Sequence, residues 1–186
     1  FLLSKTDNFD VTDGILAVDL DNMLGGTDCL DHVIGSFYGN LDAGTYYDAE
    51  SAATYNTAAY IQSLRDRRAD QGAANLAAWD LGLGLYSAYV VGAETTQWAS
   101  GVKAEIDELN SEGAYDILGL AGAVLGLAAA GDDHDPQAGH YESASSLADL
   151  VTILASYQLE TGGFTWNPLY MEPGIDETIK ETTWQL

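Results

Sequence analysis

Cysteine is nearly absent from this chain, with Cys29 as the only one among 186 residues. A single thiol allows no disulfide within the chain, no zinc site built from several cysteines and no iron–sulfur cluster. The neighbouring Asp28 and Asp31 disfavour a thiolate. We therefore interpret Cys29 as a small buried residue on a helix and exclude a nucleophilic role for it.

Positive charge is also scarce, because 6 Lys and Arg face 29 Asp and Glu, which gives a formal net charge of −23. Phosphate binding needs clustered cations, so nucleic acid and anionic membranes are excluded as partners. Such acidity is typical of extracellular proteins that bind divalent cations, and equally of proteins from a high-salt cytoplasm. The low lysine content and the many Tyr, Gly and Ser residues favour an extracellular or cell-surface location.

Long apolar runs are missing. The most apolar stretch, Ile117 to Ala130, is too short to cross a bilayer and lies between Asp116 and Asp132. We therefore predict a buried helix there and no membrane insertion. The first residues carry no basic segment followed by an apolar run, so we expect that any signal peptide has been removed.

Helical patterns fill most of the remaining sequence. Residues 1–15 look irregular, and 16–186 form a single helical domain, alone or as part of a longer chain. Apolar spacing predicts one or two short helices between Leu20 and Phe37, stopped at Gly39 and Asn40. Further helices are predicted for Asp48 to about Leu64, Ala73–Val91 (capped by Gly92), Thr95–Asn110, Tyr115–Ala130, Tyr141–Glu160 and from Asp176 onward. No segment alternates as a strand would.

A weak internal repeat organises these helices. An aromatic residue followed by Asp recurs at Asp48, Asp80 and Asp116, and Asp149 keeps the register without the aromatic, at spacings of 32, 36 and 33 residues. This is the length of a two-helix unit. Glycines inside the second and fourth of the longer helices predict close packing of an inner layer. The sequence therefore predicts an all-α, two-layer helical-hairpin repeat.

One segment carries a family resemblance. Gln158, Gly162 and Phe164, with Trp166 as a second aromatic, resemble the Gln–Gly–aromatic repeat of the squalene cyclase and prenyltransferase superfamily. The resemblance is clearest over residues 141–186. It implies an arc or part of an α/α toroid, in which the glutamine bonds a glycine turn at a helix end and the aromatic packs on that turn. The protonating Asp-rich motif of terpene cyclases is matched only in part, by Asp19 and Asp21.

Carboxylates are the candidate catalytic groups. If inner helices carry Asp48, Asp80, Asp116 and Asp149 to a shared centre, pairs of them could act as general acid and base, as in glycoside hydrolysis. The alternative is that each is a first-turn Asp that stabilises its helix through the helix dipole. We favour this structural interpretation.

An acidic loop is the candidate metal site. Asp132, Asp133 and Asp135 lie between Gly131 and Pro136, and hard oxygen ligands this close together could bind Ca²⁺. Alternatively, these side chains accept hydrogen bonds from the backbone of a turn. No cofactor is required by either interpretation.

Taken together, the sequence predicts a non-catalytic, exported or surface domain that binds a protein or glycan surface or self-assembles, for example as a homo-oligomer. The rival prediction is an α/α-toroid enzyme, either terpenoid-cyclase-like or a glycoside hydrolase or polysaccharide lyase.

Overall fold

The computed structural model describes residues 35–165, apart from positions 112 and 114. Within that range six helices follow one another: α1 (Gly35–Ala43), α2 (Thr57–Asp70), α3 (Ala77–Val90), α4 (Thr96–Glu108), α5 (Asp116–Ala130) and α6 (Leu147–Ser156). A two-stranded hairpin, β1 (Tyr46–Asp48) and β2 (Ala53–Tyr55), lies between α1 and α2, and a 3₁₀ turn (Ala74–Leu76) precedes α3. The predicted all-α character is confirmed.

Several predictions lie outside the described residues. These are the irregular segment 1–15, the first part of the early short helices, Asp19, Asp21, Cys29, Trp166 and the helix expected from Asp176.

The hairpin corrects the prediction of a helix starting at Asp48. Strands β1 and β2 pair antiparallel with Tyr46 opposite Tyr55, and the ring of Tyr46 packs edge-on against Phe37 at 4.9 Å between centroids. Helix α2 begins only after Asn56, whose side chain accepts a hydrogen bond from the Ala59 amide. Aromatic residues suit a half-buried strand, but strands of three residues are too short to show alternation in a sequence.

The end of α1 also differs from the prediction, because the helix continues through Gly39 and Asn40 to Ala43. Burial of Phe37 and Leu41 holds both turns of the helix against the core. Gly44, at φ +69°, provides the left-handed residue that ends it.

The later helices lie close to their predicted positions, except that the helix predicted for Tyr141–Glu160 is shorter at both ends and stops at Ser156. Gly92 and Gly131 follow α3 and α5 in the left-handed conformation, at φ +71° and +67°. Helix α6 begins at Leu147 instead of Tyr141, because Ser146 caps it and accepts a hydrogen bond from the Asp149 amide.

Helices α3 and α5 lie side by side and parallel, and glycines line their contact. The contacts are ordered alike along both segments: Asn75 approaches Gly119, Trp79 approaches Gly122 and Gly82 approaches Gly126. The two helices therefore run in the same direction. A Cβ on Gly122 would lie 2.6 Å from the Cα of Trp79. The glycines therefore allow a backbone approach that no larger residue would permit.

The more polar helices form a second set. Ile61 lies beside Gly101 and Arg65 pairs with Glu105, so α2 runs parallel to α4. Helix α4 runs antiparallel to α3, since Trp98 lies beside Gly84 and Gly101 beside Leu81. Helix α6 runs antiparallel to α5, since its start is bonded to Asp133 and its end packs near Ile117. In the described part of the chain, no helix is long and apolar enough to cross a membrane.

Candidate functional site

The most concentrated group of buried polar side chains surrounds Asp116, the first residue of α5. Asp116 is only 6 % exposed, and its carboxylate accepts hydrogen bonds from three residues. His140 Nε2 lies 2.8 Å from Oδ2, the Tyr141 hydroxyl donates to the same oxygen, and Asn75 Nδ2 lies 3.3 Å from Oδ1. We call these four residues the Asp116 cluster.

Helix packing positions Asn75 and Asp116. Asn75 belongs to the 3₁₀ turn before α3, and its amide also donates to the Asn110 carbonyl at 3.2 Å. Gly113 lies directly against the Asn75 side chain, leaving no room for a Cβ. The close approach of α3 and α5 therefore delivers an amide donor to the buried carboxylate.

The connection from α5 to α6, residues 131–146, supplies the other two members, and we call it the strap. The His140 amide donates to the Leu109 carbonyl at 3.2 Å, and the preceding Gly139 has φ +70°. A Cβ added at Gly139 would lie 2.8 Å from the Asp107 carbonyl oxygen. This tight, left-handed glycine aims His140 and Tyr141 at the start of α5.

Tyr141 is the most deeply buried donor of the cluster. The residue is 1 % exposed, and its ring lies against that of His140, tilted by 44° with 3.5 Å between the ring centroids. Burial and the adjacent Asp116 carboxylate raise the pKa of the Tyr141 phenol far above its usual value. The hydroxyl therefore stays protonated and acts as a permanent donor to Asp116.

Strain marks the residue before the cluster. Tyr115 has φ +63° and ψ +19°, a left-handed conformation that costs a residue with a Cβ about 1–2 kcal/mol. Its side chain is 47 % exposed. Strained residues of this kind occur at functional sites, but also where surrounding packing dictates a sharp entry into a helix.

Two chemical roles are open to the cluster. In the first, His140 is a general base: Asp116 holds one nitrogen of its imidazole, and the other nitrogen takes a proton from a substrate or water. The same contacts also clamp the strap to the start of α5, because all three donors converge on one buried acceptor.

The four aspartates proposed as acid–base residues do not share one environment. Asp80 accepts from Arg68 Nε at 2.6 Å and from its Nη2 at 2.9 Å, while Asp116 has the partners above. Both lie in the first turns of the parallel helices α3 and α5.

Asp48 and Asp149 lie elsewhere. Asp48 is in strand β1 and accepts from the Glu50 amide at 3.0 Å and from the Ser51 hydroxyl at 2.7 Å. Asp149 is in the first turn of α6, which runs opposite to α5, and the Ser145 amide lowers its pKa. The expected helix-start role of Asp48 is therefore wrong.

The acidic loop forms the first part of the strap. Asp132 accepts from Lys103 Nζ and the Asp133 amide, both at 2.8 Å, and this lysine lowers the pKa of Asp132. Asp133 accepts from the His134 and Leu147 amides, and the Leu147 amide is the main reason that its pKa is lowered. The Asp135 carbonyl accepts from Gln137.

The carboxylates of Asp132 and Asp133 thus accept from Lys103 and from backbone amides of the loop and of α6. Among the described residues, no three His, Cys, Asp or Glu side chains are grouped as metal ligands would be. Calcium binding by Asp132, Asp133 and Asp135 stays a prediction. Thermal unfolding with and without a chelator tests it, because a bound ion would raise the unfolding midpoint.

The Gln158 motif follows the end of α6. Gln158 Nε2 donates to the Gly162 carbonyl at 3.1 Å, and Gln158 forms an isolated antiparallel bridge with Phe164. Gly162 has φ +87° in the turn between them. Phe164 packs with Ile117 and Tyr157, so the turn is fastened to the start of α5.

Sequence reasoning missed most of the cluster. Asp116 was singled out, but Asn75, His140 and Tyr141 come from loops 41, 24 and 25 residues away along the chain. The available signal was the adjacency of His140 to an aromatic residue after Gly139. In the sequence alone, that pattern points to no partner.

A shallow cleft lies where the end of α5 meets the start of α4. Its walls include Thr96, Ser100 and Gly131, and the ion pair of Lys103 with Asp132 lies at its edge. Glu94 already accepts from the Thr96 and Gln97 amides at the start of α4. The groups that this cleft presents to a ligand are therefore the hydroxyls of Thr96 and Ser100 and the mutually paired charges of Lys103 and Asp132.

No protein-family model, no curated protein and no solved structure matches this chain. The resemblance to the squalene cyclase and prenyltransferase superfamily therefore stays a prediction, which depends on Gln158, Gly162 and Phe164.

Proposed function

We propose that this chain is an exported or surface helical-repeat domain that works by contact, either with itself or with a protein or glycan surface. The observation that carries the proposal is an exposed, uncharged apolar strip on α5 and α6. On α5 it comprises the half-buried Ala121 and the exposed Leu125 and Ala128, and on α6 it comprises the exposed Ala148, Val151 and Ala155.

Helical spacing defines the strip. Residues separated by three or four positions share a helix face, and both sets follow that spacing. Leu125 is 43 % and Val151 48 % exposed, and they are among the few large apolar side chains left in solvent in the described part of the chain. Because α5 and α6 run antiparallel and pack together, the two faces belong to neighbouring helices.

The charge distribution distinguishes the strip from its surroundings. Residues 117–131 contain no ionisable side chain, and Asp149 is the only one in α6. The whole chain carries 29 acidic residues. Interface cores are depleted in charge, and an apolar patch on an otherwise charged surface is typical of a contact site.

Internal use of the carboxylates supports the same proposal. Asp80 pairs with Arg68, Asp132 pairs with Lys103, and Asp116 accepts from its cluster. Each carboxylate thereby stabilises a helix start or a loop, which is the structural interpretation that we favoured from the sequence.

The packing of the helices fits the proposed repeat. Two successive hairpins, α2–α3 and α4–α5, lie with α2 beside α4 and α3 beside α5. This packing supports a two-layer helical-hairpin repeat, of which an arc or part of a toroid would be the extension. We include that architecture in the proposal.

The test combines two readouts on the full chain: solution mass by sedimentation velocity, and retention on a glycan array. We expect association or glycan binding that Leu125→Glu weakens at least tenfold, while circular dichroism shows an unchanged fold. A folded Ala128→Glu variant repeats the test without removing a large side chain. Monomeric behaviour without glycan retention would overturn the self-association and glycan-binding forms of the proposal. Binding that neither substitution affects would overturn the assignment of the strip as the contact surface.

The pairing of Asp116 with His140 favours a second candidate, an α/α-toroid enzyme acting on polysaccharide. In this alternative Asp116 orients His140, whose other ring nitrogen removes a proton. The test is the release of reducing ends from a polysaccharide panel by the wild type and by His140→Gln. If the wild type releases reducing ends and the folded His140→Gln variant does not, the enzyme is established. Equal release by the two proteins would exclude this candidate.

A further inference from the structure

We draw no further inference here: the strongest candidate, the apolar strip around Leu125 on α5 and Val151 on α6, already supports the proposed function, and nothing among the described residues shows what covers it.

Discussion

At the scale of single residues, Asp116 links three separate parts of the described structure. One carboxylate joins the turn before α3, the start of α5 and the strap. A buried acceptor with three donors is costly to alter, because each donor loses its partner when the acceptor changes.

Replacing Asp116 by Asn tests this role. The amide keeps the shape but sets an NH₂ group against donors from Asn75, His140 or Tyr141. We expect a loss of about 1–3 kcal/mol in the free energy of unfolding, measured by urea denaturation. Asp135→Asn is the matched control, since its side chain is exposed and its change should fall within about 0.5 kcal/mol. Equal losses in both variants would contradict the clamp.

Tyr141 makes the stability of the fold sensitive to alkaline pH. Its pKa is raised in the folded chain, so the neutral phenol stabilises the fold below about pH 10, and this contribution is lost as the pH rises further. We expect stability to fall above about pH 10 in the wild type and to fall less steeply in Tyr141→Phe. The exposed Tyr47→Phe serves as the control and should follow the wild type. Identical slopes in all three proteins would exclude the proposed contribution of Tyr141.

At the scale of secondary structure, glycine has opposite consequences at two helix positions. Gly122 is at the contact of α3 and α5, while a Cβ on Gly39 in α1 would have nothing within 4 Å. We expect Gly122→Ala to destabilise the chain by about 1–3 kcal/mol or more, because the helices must separate. Gly39→Ala should stabilise it by up to about 1 kcal/mol through better helix propensity. The unfolding temperatures of the two variants test this prediction. A Gly122→Ala variant more stable than the wild type would contradict the close contact of α3 and α5.

The strap is sensitive to acid. The pKa values of Asp132 and Asp133 are lowered, by the Lys103 hydrogen bond and by the Leu147 amide respectively. Their ionised forms therefore stabilise the strap above about pH 4, and this contribution is lost as the pH falls further.

Hydrogen exchange should show this acid sensitivity directly. After correction for intrinsic rates, the Leu147 amide should lose protection below about pH 4, while amides in α5 keep theirs. Asp133→Ala, which removes the side-chain acceptor, should abolish the protection of the Leu147 amide already at neutral pH. Protection of Leu147 that is independent of both pH and Asp133 would contradict the assignment.

The elements differ in how far the sequence predicted them. Helices α3, α4 and α5 were placed within a few residues, because apolar spacing and the glycines at 92 and 131 mark them clearly. The β-hairpin was missed, because its strands are only three residues long. It is also held in place by ring contacts of Tyr46 with Phe37 and Tyr60, which form only in the folded chain. Asp149 matched the repeat in spacing, yet it lies on a helix that runs opposite to α5.

At the scale of the whole molecule, charge and apolar surface are separated. Acidic side chains occur in the hairpin, α2, α4 and the strap, whereas the strip on α5 and α6 carries none. A molecule with a net charge of −23 repels its own copies at low ionic strength. Self-association through the strip should therefore increase with salt, which screens the carboxylates and leaves apolar contact intact.

Composition could predict that such a chain is acidic and helical, but not where its surface lacks charge. That property depends on which side of α5 the core covers, and the apolar stretch from Ile117 to Ala130 looks alike on every side in the sequence. Leu120 and Leu127 are fully buried, whereas Leu125 is exposed, and only the packing of α3, α4 and α6 distinguishes them.

Sedimentation velocity of the full chain at about 1 M salt, where the screening length is about 3 Å, tests the central claim most directly. The wild type should sediment above the monomer mass, and Leu125→Glu and Val151→Glu should return it to the monomer. Tyr47→Glu, at another exposed apolar position in the hairpin, should leave the association unchanged. A wild type that stays monomeric, or association that Tyr47→Glu reduces as much as Leu125→Glu does, would contradict the self-association form of the proposal.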